Sequence, residues 1–250
     1  MKLGKKEYKH DPKTVKLGSV LDADYAIPSV FDFDKGRAAF PQSAFGNIEH
    51  GDCVMVTRTN QLLRLERVET RRTVPITTRM VLDKYFELTG GSDDGLVMLD
   101  TNRDWRTNGW DVKTHAGTRH YTIDAFGELD TNNPKQLRQG IYLLHGTQLG
   151  VALPISAQAQ TDEGYWDVDD GPDGEPGSWG GHAILAYRYD HENLYVKSWG
   201  KTIRVTERFI AKYADEAWAV VDSFDTWREA LDVEKLKKIL SDIGASGIEK

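Results

Sequence analysis

The hydrophobic pattern changes its period once along this chain, near residue 149, and that change limits the folds available. Before it, apolar residues recur at helical spacing between helix stop signals. "CVMVTRTNQLLRLERV" (from Cys53), "PITTRMVLDKYFELTGG" (75–91), "GLVMLDTNRDWRTNGW" (95–110) and "NNPKQLRQGIYLLHG" (132–146) each predict a helix. Asn133 can cap the last of these, Pro134 suits its first turn, and Gly146 closes it. Val and Thr weaken the start of the first, so a buried setting must hold it. After the change come short runs rich in Val, Ile, Tyr and Trp: "GVALPI", "GHAILAYRYD", "NLYVKSWG", "KTIRVT" and "EAWAVVDS". "ERFIAKYA" is a short helix between the last two. A helical half followed by antiparallel strands is an α+β order.

Three regions follow from composition. Residues 1–44 are rich in turn and polar residues and read as an extended arm. Residues 45–225 form the folded domain, with a helical half (45–148) and a β half (149–225). Residues 226–250 carry a charged amphipathic helix and a tail. A chain of 250 residues, 39% hydrophobic, can bury a sizeable core. The net charge of −7 gives no support for nucleic-acid binding. Six lysines in the first 17 residues read as a solvated tail rather than a nucleic-acid arm. No apolar stretch approaches a membrane span or a signal-peptide core. One cysteine excludes an intramolecular disulfide and any Cys-based zinc site.

That cysteine, Cys53, opens the first predicted helix. Read alone, it is as well explained as a small buried hydrophobe. A helix N-terminus, however, favours a thiolate, although the neighbouring Asp52 opposes it. About 130 residues later, "SWGGHAILAYRYD" places His182 after Gly180 and Gly181 at a strand start. The glycines admit another backbone or a substrate at close range. Thiol and imidazole together form a nucleophile and general base.

These segments carry a resemblance. "GNIEHGDC" (Gly46–Cys53), "GGHAILAYRYD", "VKSWG" and "FIAKYADEAWAVV" resemble the papain-like cysteine peptidases, in the divergent form encoded by tailed bacteriophages. The match covers roughly residues 41 to 223. It implies a helical half packed against an antiparallel β-sheet or barrel. It implies Cys53 as nucleophile, His182 as general base, and Asn47, six residues before the cysteine, as an oxyanion-hole donor. Gly51, Asp52, Gly180, Gly181 and Trp199 would line the substrate. The family's imidazole-orienting Asn falls on Lys197, two positions before Trp199. A lysine cannot accept the imidazole N–H and would repel an imidazolium. A shift of one residue puts Ser198 there, as a weaker orienter.

The remaining features read more plainly. The loop 162–175 holds seven acids but lacks the glycine and terminal Glu of a helix–loop–helix calcium site, so a flexible solvated lid is expected. His50 suits a turn, and His115 and His120 lack a third metal ligand. No metal or cofactor is expected. The partners implied are a peptide or protein substrate, and other virion proteins docking through the arm and the C-terminal helix. The site implied is the host cytoplasm or an assembled particle. A cysteine hydrolase and a structural or binding protein with a silent site both fit this sequence.

Overall fold

The computed structural model describes residues 1–36, 43–71, 73–114, 117–222 and 230–245. In chain order these form β1 (Phe31–Asp32), α1 (Cys53–Thr70), α2 (Thr78–Thr89), α3 (Met98–Thr107), β2 (Trp110–Thr114), β3 (Gly117–Tyr121), β4 (Ala125–Glu128) and α4 (Pro134–Leu143). They continue with β5 (Thr147–Leu153), α5 (Ala157–Glu163), β6 (Tyr165–Trp166), β7 (Gly180–Tyr189), β8 (Asn193–Ser198), β9 (Lys201–Thr206), α6 (Glu207–Tyr213), β10 (Ala214–Val221) and α7 (Val233–Ala245). No helix among the described residues is long and apolar enough to cross a membrane.

One large sheet organises the molecule, with strand order β4-β10-β5-β7-β8-β9-β6 and β1 added beside β7. All pairings in it are antiparallel except β6 with β9. The expected barrel does not form, because the described strands leave β4 and β6 as the two ends of an open path. Each central strand divides its side chains between two cores by the twofold period of a strand. Ala183 and Tyr187 of β7, with Trp218 and Val220 of β10, face α1, α2 and α3. Ile184 and Ala186, with Ala217, Ala219 and Val221, face the opposite core, where α4, α6 and α7 pack.

Helix α1 lies against β7 and β8, and nearly its whole circumference is buried. That explains its mixed sequence: polar residues on it point into the protein and find partners there. Arg58 Nη1 donates to Asp104 at 2.8 Å, and both Nη2 bonds of Arg64 reach Asp34 at 2.8 and 3.0 Å. Gln61 donates to the Gly146 carbonyl at 3.2 Å and accepts from Gln148 at 2.8 Å. Buried polar groups stay stable only when paired in this way. Two caps follow the sequence directly: Asn133 accepts from Gln136 N at α4, and Thr206 from Phe209 N at α6.

The ribbon β2–β3 and strand β4 interrupt the half expected to be helical. Four of the five residues of β3 are exposed, so no apolar alternation marks it in the sequence. The arm is laid over the molecule's own cores, as its scattered apolar residues suggest. Val15, Leu17, Val20, Leu21 and Phe33 are buried in the two cores. Leu236 of α7 is buried as well, packed on the sheet side. Arm and C-terminal helix therefore spend apolar surface within their own chain.

Candidate functional site

Cys53 begins α1 and is buried against the start of β7, a central strand of the sheet. Backbone amides of Ala183 and Gly4 donate to its sulfur. The first places the thiol beside the residue that follows His182. Burial dominates the electrostatics: it pushes the thiol up to about 12, and the Asp52 charge adds to this, while the two amide bonds and Lys5 oppose it.

His182, fully buried in β7, has its Nε2 2.7 Å from Ser198 Oγ. Its Nδ1 has no hydrogen-bond partner. The ring lies flat against Trp199, centroids 4.0 Å apart and 9° from parallel. Burial drives this imidazole down to about 3, so it is neutral. Neutral thiol and neutral imidazole are the forms that proton transfer between the two would start from.

The turn between β8 and β9 sets this geometry. Ser198 pairs with Lys201, and the two residues between, Trp199 and Gly200, have φ of +47° and +74°. Positive φ at both central positions is the type I′ hairpin, which ordinarily favours Asn-Gly. A tryptophan in the left-handed region is unusual, and it holds the indole across the imidazole. Trp179 stacks behind it at 5.4 Å, closing the ring pair from solvent.

Register also disposes of the expected conflict at Lys197. Adjacent strand residues point to opposite faces, so Ser198 turns to His182 and Lys197 turns away. Lys197 Nζ donates to Thr202 at 2.8 Å and sits 4.9 Å from the Tyr187 ring centroid. Burial first, then the Arg64 charge, lower it to about 8. It does not approach the imidazole as a hydrogen-bond partner, so the repulsion expected from its position is not built into the site.

Asn47 is buried at the turn before α1. Its Nδ2 donates to the carbonyls of His50 at 3.1 Å and Lys2 at 3.2 Å. The Lys2 carbonyl also accepts from Trp199 Nε1 at 3.2 Å. A carbonyl oxygen from the chain itself thus takes the side-chain donor assigned to an oxyanion.

That carbonyl belongs to a segment the sequence reading missed. Residues 2 to 6 run along the cleft between α1 and β7. Lys2 N donates to Asn47 O at 3.1 Å, Lys5 N to Gly181 O at 3.2 Å, and Lys6 N to Leu96 O at 2.9 Å. Gly4 O accepts from Leu96 N at 2.8 Å. The fit depends on glycine: a Cβ on Gly4 would fall 1.8 Å from the Gly51 carbonyl oxygen, and one on Gly181 2.4 Å from the Lys5 oxygen. The close backbone approach predicted at Gly180–Gly181 and Gly51 is occupied here by this segment, with Leu3 against Gly180. A signal existed in "KLGKK", a glycine among lysines, but it reads as a solvated tail by composition.

Other residues do not face into the cleft. Asp52 is completely buried with neither carboxylate oxygen hydrogen bonded, and burial lifts it to about 8. It does not line a surface for substrate. His50 packs edge-on to Phe86 and approaches Asp93 at 3.4 Å. His120 pairs with Asp111 at 2.7 Å, and His115 lies outside the described residues. No group of three or more His, Cys, Asp or Glu among the described residues could hold a metal. The acidic loop is not a loose lid: Asp167 accepts from Thr206 at 2.7 Å and from Arg208 Nε at 2.6 Å, and β6 joins the sheet.

The fold is shared with cysteine proteases of known structure. Xylellain, a cysteine protease from Xylella fastidiosa, superposes with a TM-score of 0.69 at 13% identity, over 88% of this chain and 96% of that one. The Carica candamarcensis cysteine protease CMS1MS2, solved with E-64, gives 0.57 at 16% identity, over 79% of this chain and 100% of that one. Digestive procathepsin L 3 of Tenebrio molitor gives 0.61 at 10% identity, covering 86% and 75%. No protein-family model matches the chain, and no curated protein matches it in sequence. At these identities the likeness establishes a papain-like fold.

Proposed function

We propose that this chain is a cysteine hydrolase of peptide or amide bonds, held at rest with its cleft covered by residues 2 to 6. One observation carries the reading. His182 is anchored through Nε2 on Ser198, while its Nδ1 is free of partners and the next residue's amide meets the Cys53 sulfur. In the reaction, Nδ1 takes the thiol proton as sulfur adds to the substrate carbonyl carbon. The oxyanion is stabilised by Asn47 Nδ2 and the Cys53 N–H at the open end of α1. The imidazolium then protonates the leaving amine, and a thioester remains. Water, deprotonated by His182, hydrolyses the thioester and restores the thiol. Trp199 over the ring excludes water from the pair. Asn47 binding a carbonyl oxygen of the covering segment supports its assignment as donor.

The covering segment gives the dyad its resting character, since burial keeps Cys53 protonated and His182 neutral. Displacement of the segment restores solvent and lowers the thiol. The test is turnover of an acetylated peptide library and of purified cell wall. Cleavage by the wild-type chain that disappears in Cys53→Ala supports the reading. Equal turnover by both refutes it.

A second reading is favoured by the same filled cleft: a phage-encoded structural or binding protein in which the papain-like domain is a rigid module. It places the chain in the host cytoplasm and then in the particle. Absence of the chain from purified particles would remove that reading.

A further inference from the structure

A cavity of about 670 Å³ lies between the arm, α3, β4 and α7, and none of its lining residues belongs to the cleft. Its size falls within the roughly 300–1,000 Å³ of small-molecule sites. The path of the arm leaves it open. The arm is pinned at Lys5, which bridges to Leu96, and again at Val15, whose carbonyl accepts from Glu128 N at 2.8 Å. Between these points the chain turns at residues 11–14, with Thr14 N donating to Asp11 O at 2.9 Å, and this turn forms one wall.

The lining is of two kinds. Val15, Leu99, Phe126 and Leu240 are apolar, whereas Lys13, Arg103 and Arg106 set three cations against a single carboxylate, Asp11. Asp11 and Asp100 both engage Arg103. Arg106 gives its Nε to the Asp124 carbonyl at 3.0 Å, and neither of its Nη atoms meets a partner among the described residues. Arg103 and Arg106 stand three positions apart on α3, so two like charges are neighbours on one helix face. A helix C-terminus favours a cation there, but it does not account for a hollow bordered by three. The Thr14 hydroxyl is likewise without a hydrogen-bond partner. In a chain of net charge −7, this local excess of positive charge is complementary to an anion.

We propose that this cavity binds a phosphate monoester with an aromatic body. Such an ester carries about −1.5 to −2 charges at neutral pH, which matches the excess of two cations over carboxylates in the lining. The unoccupied fork of Arg106 suits two phosphate oxygens, and Lys13 adds a cation from the arm. The apolar residues take the aromatic body, with the Phe126 ring backed by Trp218 at 6.0 Å between centroids.

The test is calorimetric titration of the full chain with 1-naphthyl phosphate. Inorganic phosphate, which lacks the body, and 1-naphthol, which lacks the charge, are the controls. The ester is expected to bind at least ~10-fold more tightly than either, about 1.4 kcal/mol. Arg106→Gln, at an exposed position, is expected to weaken the ester at least ~10-fold with circular dichroism unchanged. Should that variant disturb the fold, Lys13→Gln takes its place. Cys53→Ala is expected to bind the ester as the wild type does, so the outcome is independent of hydrolysis. Absence of ester binding, or binding that neither Arg106→Gln nor Lys13→Gln weakens, overturns the assignment. So does inorganic phosphate binding as tightly as the ester, which would mean an adventitious ion only, or naphthol doing so, which would mean an apolar hollow without charge selection.

Discussion

The two walls of the cleft are built by different means. On the α1 wall, Asn47, Asp52 and Cys53 come from one continuous stretch, and chain connectivity alone brings them together. On the strand wall, His182 and Ser198 sit on separate strands and meet because β7 and β8 pair in one register. A one-residue slip would exchange Ser198 for Lys197 and put an ammonium where a hydroxyl belongs. The first wall tolerates local error, whereas the second depends on the Trp199–Gly200 turn. The covering segment touches both.

The largest predicted effect separates the walls physically. In Gly4→Ala the new Cβ meets the Gly51 carbonyl at 1.8 Å, so the segment must lift. Loss of that cover drops the thiol from about 12 toward the ordinary value. Alkylation of Cys53 by iodoacetamide at pH 7.5 is expected to rise roughly 10²–10³-fold through the thiolate fraction. An unchanged rate would show that the segment is not what buries the sulfur.

Next in size is the strand wall. Ser198→Ala removes the hydrogen bond at His182 Nε2 while leaving Lys197 turned away. Turnover should fall on the order of 10–100-fold, mainly in kcat, because an untethered ring transfers protons less well. Ser198→Asn, which restores an acceptor, should recover part of the loss. If Ser198→Ala lowers the apparent kcat only because part of the chain is misfolded, KM will be unchanged, circular dichroism will show the loss, and the Asn variant will not rescue.

The α1 wall gives a stability effect instead. Asp52, lifted to about 8, stays protonated in the folded chain at neutral pH, whereas the unfolded chain ionises near pH 4. The stability it lends is therefore full below about pH 4 and is lost as pH rises toward 8. Asp52→Asn should raise stability at pH 8.5 by about 1–3 kcal/mol and change it little at pH 4. Urea unfolding at the two pH values measures this; an equal change at both would place the penalty elsewhere.

The walls also differ in how far the sequence discloses them. "GNIEHGDC" and "GGHA" stand out because their chemistry is local: a thiol at a helix start, glycines where a backbone passes. Strands β7 and β10 announce themselves by apolar and aromatic runs, since most of both their faces is buried, and β9 by alternation of Ile203 and Val205 with exposed polar residues. β2–β3 do not, because an exposed ribbon carries no apolar signal. Open sheet and barrel cannot be told apart from strand order, as closure depends on pairings between distant strands. The segment 2–6 was invisible for the opposite reason. Its hold comes from backbone bonds and from Glu216, some 210 residues away, while its own composition says only that it is polar.

The smallest predicted effect is the sharpest test of register. Were Lys197 to act on His182, removing its charge would raise the imidazole's basicity and alter the pH profile of turnover. Its ammonium instead meets Thr202 and the Tyr187 ring, and Asp34 nearby retains Arg64 as a partner. Replacing a buried cation by an apolar side chain of similar length is often neutral or mildly stabilising. Lys197→Met should therefore leave kcat/KM within about 2-fold and its pH profile unmoved. A shifted profile with unchanged fold would mean that the charge reaches the imidazole, and that the strand wall holds His182 by electrostatics as well as by the Ser198 bond.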